Sequence, residues 1–158
     1  MLRIAEMQAD VRVTGMLGSG VRSWPRAMAE AGEWIATGSS QAGGLAMLAI
    51  ASRVGAGQAD DQFLGMGFLG SIGPIGGCDA YQLGYRLHHS AWGQGYATEA
   101  AGALQAHGLG ACSLKRLFAF TRQDNIASAR VLTKIGMTEV GIRVVGGYHA
   151  RLFYSEAP

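Results

Sequence analysis

The sequence predicts an α/β chain built on one mixed sheet, mostly antiparallel, with helices on both faces. Three observations lead there. Two apolar runs, LAMLAIASRV (45 to 54) and QFLGMGFLGSI (62 to 72), flank the Gly/Asp turn GAGQADD and read as an antiparallel hairpin. Two further strand-like runs, AYQLGYRLHH (80 to 89) and KRLFAFTR (115 to 122), are separated by a helix, so they are expected to lie parallel through a crossover. Helical apolar stripes alternate with these runs along the chain.

The elements follow in order. Ser23 can cap a helix through PRAMAEAGEWIA, whose Ala27, Ala31, Trp34 and Ile35 share a face before Gly38 ends it. After the hairpin, GPIGGCDA reads as a loop before the third strand. YATEAAGALQAHGLGA then reads as a helix with a stripe through Ala97, Ala101, Leu104 and Leu109. Beyond the next strand, Asp124 or Asn125 caps IASARVLTKIG, predicted to bury Val131, Leu132 and Ile135 and to stop at Gly136. TEVGIRVVG and HARLFYS close the sheet.

With 158 residues, 49% of them hydrophobic and 15% charged, the chain suits a single domain, residues 1 to 158, with one substantial core. A formal charge of +2 with scattered Lys and Arg argues against nucleic acid as a partner. Cys78 and Cys112 lack CxxC or His-rich context, which points to reduced thiols, a cytoplasmic location and no metal. No run approaches the ~20 apolar residues of a membrane span, and the acidic opening MLRIAEMQAD does not suit a signal peptide.

Two glycine patterns invite a phosphate ligand. Gly65, Gly67 and Gly70 make a literal GxGxxG, but they lie inside an apolar strand with no helix after them. Close packing or a bulge is the better reading there than a nicotinamide-dependent oxidoreductase. WGQGYATEA follows a strand and opens a helix. Its amides, about residues 92 to 97, would converge where the helix N-terminus adds up to ~2 kcal/mol for an anion. A glycine-rich turn that merely starts a helix is the alternative.

YQLGYRLHHSAWGQGYATEA followed by FTRQDNIASARVLTKIGM resembles the GNAT superfamily of acyl-CoA-dependent N-acyltransferases, and within it the ribosomal-protein N-terminal acetyltransferases. The family's pyrophosphate signature, Gln/Arg-x-x-Gly-x-Gly/Ala, falls on Trp92, Gly93, Gln94, Gly95, Tyr96 and Ala97. The Trp at its first position departs from the general pattern but is typical of that branch. A second signature, Asn-x-x-Ser with a downstream Lys-x-Gly-Phe/Met, falls on Asn125, Ser128, Lys134, Gly136 and Met137.

The resemblance implies that the two parallel strands splay and that acetyl-CoA lies in the gap as a cosubstrate. Its pantetheine arm would bond the backbone of Tyr85 and Leu87, and its diphosphate the amides of residues 92 to 97. Asn125 would bind the pantetheine region and Ser128 would sit near the thioester sulfur. Lys134 or Arg130 would meet a phosphate, unless they form a solvated helix face. A backbone N–H near Leu87 could polarise the thioester carbonyl, and Ser128 need only protonate or hydrogen-bond the departing thiolate.

The base is unassigned. Many relatives carry a Glu just ahead of the Leu-Gly-Tyr, where this chain has Gln82. Glu99 reads as a first-turn dipole residue, and His88 or His89 stands at the strand end as a candidate. The resemblance implies a primary amine acceptor, on a small molecule or a protein N-terminus; lacking a base, the site favours an α-amine, which with a pKa near 7.7 to 8.0 is already partly neutral, or a proton relayed through water. A non-catalytic acyl-CoA sensor is the alternative. Relatives also begin with a strand, whereas MLRIAEMQADVRVTGML already resembles the end of the first helix. The first strand is thus expected to be missing, leaving a sheet edge that a second copy could cover as a homodimer.

Overall fold

A computed structural model describes residues 1–17, 20–37, 47–52, 62–75, 78–145 and 147–157. The chain opens with three helices, α1 (Leu2–Ala9), the single turn α2 (Val11–Thr14) and α3 (Trp24–Thr37). Strands β1 (Met47–Ser52), β2 (Gln62–Ile75) and β3 (Cys78–Leu87) follow, then a 3-10 turn at His89–Ala91 and helix α4 (Tyr96–Leu109). Strand β4 (Arg116–Arg122), helix α5 (Ile126–Lys134) and strands β5 (Thr138–Val145) and β6 (Tyr148–Glu156) complete the order.

The strands form one sheet in the order β1-β2-β3-β4-β6-β5. All neighbours are antiparallel except β3 and β4, which are parallel across the α4 crossover. The last hairpin inserts β6 between β4 and β5, so β5 is an edge and β1 is the other. No described strand precedes α1.

Alternation along the strands divides the core. Leu69, Leu83, Leu117, Ala119 and Phe153 face α4 and α5, where Leu104, Ala129 and Leu132 complete the main cluster. On the other face Met66 meets Met7, Val13 and Trp34 from the three N-terminal helices. Leu117 and Ala119 join the main cluster and Phe118 is buried on the opposite face, so three successive residues of β4 are buried, as expected for a strand covered on both sides. Ala5, Ala27 and Ala31 bring α1 and α3 close together. Beside them Glu30 accepts from Arg22 Nε at 2.8 Å, Arg26 Nε at 2.9 Å and Gln8 Nε2 at 3.3 Å. Burial raises the Glu30 carboxyl's pKa, and the bonds from Arg26 and Arg22 more than reverse this, leaving it below the ordinary value.

The GxGxxG glycines are strand residues. Opposite Ile50 and Ala51 of β1 the pairing shifts, so that Gly65 and Phe63 are partners and Leu64 is the extra residue of a bulge. The bulge puts Phe63 and Met66 on the N-terminal-helix side, while Leu64 joins Leu87 and Ala91 near the start of α4. Gly65 and Gly67 are needed for close approach: a Cβ at Gly65 would collide with the Arg86 carbonyl, and one at Gly67 would lie 2.8 Å from Leu104 Cδ1.

Several expectations need correction. Of the loop expected over residues 73 to 80, the described residues are strand: β2 runs on to Ile75 and β3 begins at Cys78, so the ladder pairs Pro74 with Asp79, while Gly76 and Gly77 lie outside the described residues. Ile35 is 52% exposed because the last turn of α3 meets the sheet through Trp34 instead. In α5, Ala129 and Leu132 are the buried residues, and Val131 and Ile135 are only half-buried. Residues 53–61 of the first hairpin and Gly38 lie outside the described residues.

The crowding at Gly65 sets an expectation for stability. Gly65→Ala should lower the unfolding free energy by about 1–3 kcal/mol in urea titration. Gly70→Ala, whose Cβ would meet nothing within 4 Å, should stay within about 0.5 kcal/mol of the parent. Equal effects of the two substitutions would refute close packing as the reason for Gly65.

Candidate active site

The site begins where β3 and β4 part. They pair only at Tyr81 with Leu117 and Gln82 with Phe118, although β3 continues to Leu87 and β4 to Arg122. The free edge of β3 has a defined polarity. His88 N–H donates to the Leu64 carbonyl at 2.8 Å, continuing a register in which Leu87 faces Gly65 and Tyr85 faces Gly67. Hydrogen-bonded and non-bonded pairs alternate in an antiparallel ladder, so Tyr85 and Leu87 direct their N–H and C=O groups away from β2, into the gap.

The glycine loop closes one end of that gap. Gly93 and Gly95 hold φ values of +75° and +89°, which side chains disfavour. The first intrahelical bonds of α4 run from Thr98 and Glu99 N–H to the Gly95 carbonyl, so the amides just before them belong to the helix mouth. Two side chains pin the loop. Trp92 Nε1 donates to the Leu87 carbonyl at 3.1 Å, and Gln94 Nε2 donates to the Ser90 carbonyl at 2.8 Å.

Helix α5 supplies the opposite wall. Asn125 Oδ1 accepts from Ser128 N–H at 3.1 Å and so caps the helix, which leaves the amide hydrogens of Asn125 for any other partner. The Ser128 hydroxyl lies 3.0 Å from the Tyr85 hydroxyl, a hydrogen bond that bridges the gap from α5 to β3. Burial pushes the Tyr85 phenol above its ordinary pKa, and the bond to Ser128 offsets part of this.

Two clefts meet at this bridge. One, of about 580 Å³, runs between the glycine loop and the start of α5. The other, of about 650 Å³, opens toward the N-terminal helices and is walled by Trp34, Met66, Phe68, Gln82 and Tyr148. Leu17, Tyr85, Arg86 and Ser128 line both. No carboxylate or imidazole is among the described residues lining the larger cleft.

Most of the expected donor-site residues border the smaller cleft: Tyr85, Leu87, Trp92, Gly93, Gly95, Ala97, Asn125, Ser128, Arg130 and Lys134. Gln94 and Tyr96 do not, because the first turns back to Ser90 and the second packs on Leu64, Leu87 and Ala91. His88, weighed as a base, lines neither cleft; its ring stands edge-on to Phe63 at 5.7 Å. His89 is exposed, with its ring 5.0 Å from that of Trp92. Gln82 does line the larger cleft, on the face opposite Leu83 and Tyr85.

Sequence reasoning overlooked three groups here: the Tyr85 phenol, Trp34 and Arg86. The Arg86 guanidinium lies 5.4 Å from the Trp34 ring centroid, and its Nε and Nη1 are buried without a hydrogen-bond partner. Burial pulls its pKa down to about 10, nearby Arg22 adds to the fall and Glu30 opposes it, so it stays charged at neutral pH. Strand alternation alone would have turned Arg86 away from Tyr85, but nothing in the sequence says that Trp34 waits there.

Comparison with known proteins agrees with this geometry. The family described as Acetyltransferase (GNAT) domain matches residues 2–138. An uncharacterized N-acetyltransferase of Bacillus subtilis, YnaD, is 38% identical over 61 residues, covering 39% of this chain and 36% of that protein's length. Among solved structures, a GNAT-family acetyltransferase from Bacillus anthracis superposes with a TM-score of 0.76 at 19% identity, covering 98% of this chain and 87% of the other. A Salmonella typhimurium acetyl transferase that modifies the N-terminal serine of 50S ribosomal subunit protein L7/L12 gives a TM-score of 0.71 at 21% identity, over 99% and 88%. These structures share the mixed sheet, and the match over residues 2–138 carries the assignment: the chain belongs to the GNAT acetyltransferase family.

Proposed function

We propose that this protein moves the acetyl group of acetyl-CoA to a primary amine by direct attack in a ternary complex. The observation that carries the reading is the meeting of two clefts at the Tyr85–Ser128 bridge. The smaller cleft has the glycine-loop amides at one end for a diphosphate, and the strand-edge groups of Tyr85 and Leu87 along its length for a pantetheine amide chain. Arg130 and Lys134 at its rim suit the outlying phosphate. The larger cleft receives the amine.

In the reaction the amine lone pair attacks the thioester carbonyl carbon. The oxyanion that develops is met by a strand-edge N–H, that of Leu87 being the candidate. As the C–N bond forms and the C–S bond breaks, the thiolate takes a proton or hydrogen bond from Ser128 Oγ. Tyr85, kept as a phenol by its burial, can pass a proton to Ser128 and take one back from water. The ammonium proton leaves to water, since no lining carboxylate or imidazole is described in the larger cleft.

That gap in the lining also supports a second reading, a protein that binds acyl-CoA without turning it over. Thiol release from acetyl-CoA across peptide N-termini, amino acids, polyamines and aminoglycosides separates the two. Release with any class supports transfer, and stoichiometric CoA binding with no release across the panel supports the sensor.

Two outcomes follow from the bridge and the missing base. Ser128→Ala should reduce kcat by about tenfold or more while the Kd for CoA moves less than about twofold. An unchanged kcat removes the serine from the reaction. Without an enzyme base, the acid limb of the kcat/KM profile should follow the acceptor, near pH 8 for a peptide α-amine and above pH 10 for a lysine-like amine, as their pKa values of about 7.7–8.0 and 10.4 require. An inflection fixed at one pH for both acceptors would reveal a base on the protein.

A further inference from the structure

We propose that the acceptor is an amine that also carries a carboxylate, and that Arg86 holds that carboxylate in the larger cleft. The inference rests on the acetyl-transfer reading for the identity of the reacting group, and on the surroundings of Arg86 for the rest.

Arg86 is a donor-only group charged at neutral pH, and two of its nitrogens are buried with no acceptor. A buried donor left unpaired costs about 1–3 kcal/mol and more when charged, so such a group calls for an oxygen ligand. The nearest acid cannot serve it. Glu30 influences Arg86 through space, but its oxygens accept from Arg22, Arg26 and Gln8, and no bond joins it to Arg86. Arg22 adds a second positive charge to the same neighbourhood.

The geometry favours a planar anion. The Trp34 ring centroid lies 5.4 Å from the guanidinium carbon, a cation–π contact that uses no N–H group and so leaves those groups for a carboxylate. Strand alternation sends Arg86 to the side opposite Tyr85 and Leu87, toward α3 and away from the strand-edge groups assigned to the donor. Yet it borders both clefts together with Tyr85 and Ser128, so an anion on Arg86 lies beside the point where the clefts join. Met66 and Phe68 on the same wall suit an apolar portion of the acceptor.

The test uses matched acceptors with the full-length protein. Thiol release from acetyl-CoA is measured with free amino acids against their carboxamides, and with amidated peptides bearing one acidic side chain against their Gln counterparts. The wild-type protein should favour the carboxylate member of one set by tenfold or more in kcat/KM, and the set that shows it identifies the source of the carboxylate. Arg86→Met should erase the preference and Arg86→Lys should keep part of it, with thermal stabilisation by CoA retained in both as the check on folding. If Arg86→Met does not fold, the wild-type ratio and the Lys variant decide. Equal rates on acid and amide in both sets overturn the proposal. Failure of every amine in the panel to release thiol defeats the transfer reading instead; the carboxylate site is then judged by calorimetry of an N-acetyl amino acid on CoA-saturated protein, where heat that Arg86→Lys weakens supports it and no heat overturns it.

Discussion

The parting of two parallel strands after two residue pairs is the constraint on which the rest depends. A sheet interior normally satisfies every backbone donor and acceptor, and β3 abandons that along its last residues. The exposed groups of Tyr85 and Leu87 then need partners from elsewhere. Trp92 provides one by donating its indole N–H to the Leu87 carbonyl, and in doing so it ties the glycine loop to the strand end. The remaining edge groups give an extended amide chain something to bind, and the Tyr85–Ser128 bond sets where the two sides meet.

Both walls of the opening are held by helix ends rather than by long side chains. The left-handed glycines aim the first turn of α4 across the gap, and the Asn125 cap orients α5 so that Ser128 faces Tyr85. Helix mouths carry fixed dipoles and unbonded amides, so they offer an anion a site that needs little reorganisation on binding. The larger cleft is built differently. It depends on α1 and α3 packing through Ala5, Ala27 and Ala31, while Trp34 of α3 meets Met66 of the sheet. There side chains, not backbone groups, give the cleft its character.

Legibility followed this division. The glycine loop, the capped α5 and the parallel crossover were all visible, because each rests on local chemistry: a positive φ, a side-chain cap, a strand-helix-strand order. The hairpin strands were visible through their apolar runs, and the glycines at 65 to 70 suggested close packing or a bulge, but the place of the bulge at Leu64 was not visible, since it arises from pairing with β1. The loop expected over residues 73 to 80 was misread because Gly and Pro suggest a turn, while the ladder continues through Pro74. His88 looked suitable by position at the strand end. Its side chain turns to Phe63 because the strand's alternation, continued one residue past Leu87, carries it to the side where Arg86 also lies.

By itself the sequence determined the fold class, the family and the glycine-loop end of the cleft, because those are written in short segments whose residues act on their own backbone. Only the tertiary structure decided the lining of the larger cleft. Trp34 and Arg86 are 52 positions apart and share no pattern, yet helix packing sets the indole against the guanidinium. The same packing leaves two donor nitrogens buried and unpaired, a condition that belongs to neither residue alone and exists only once the helices have closed over the sheet.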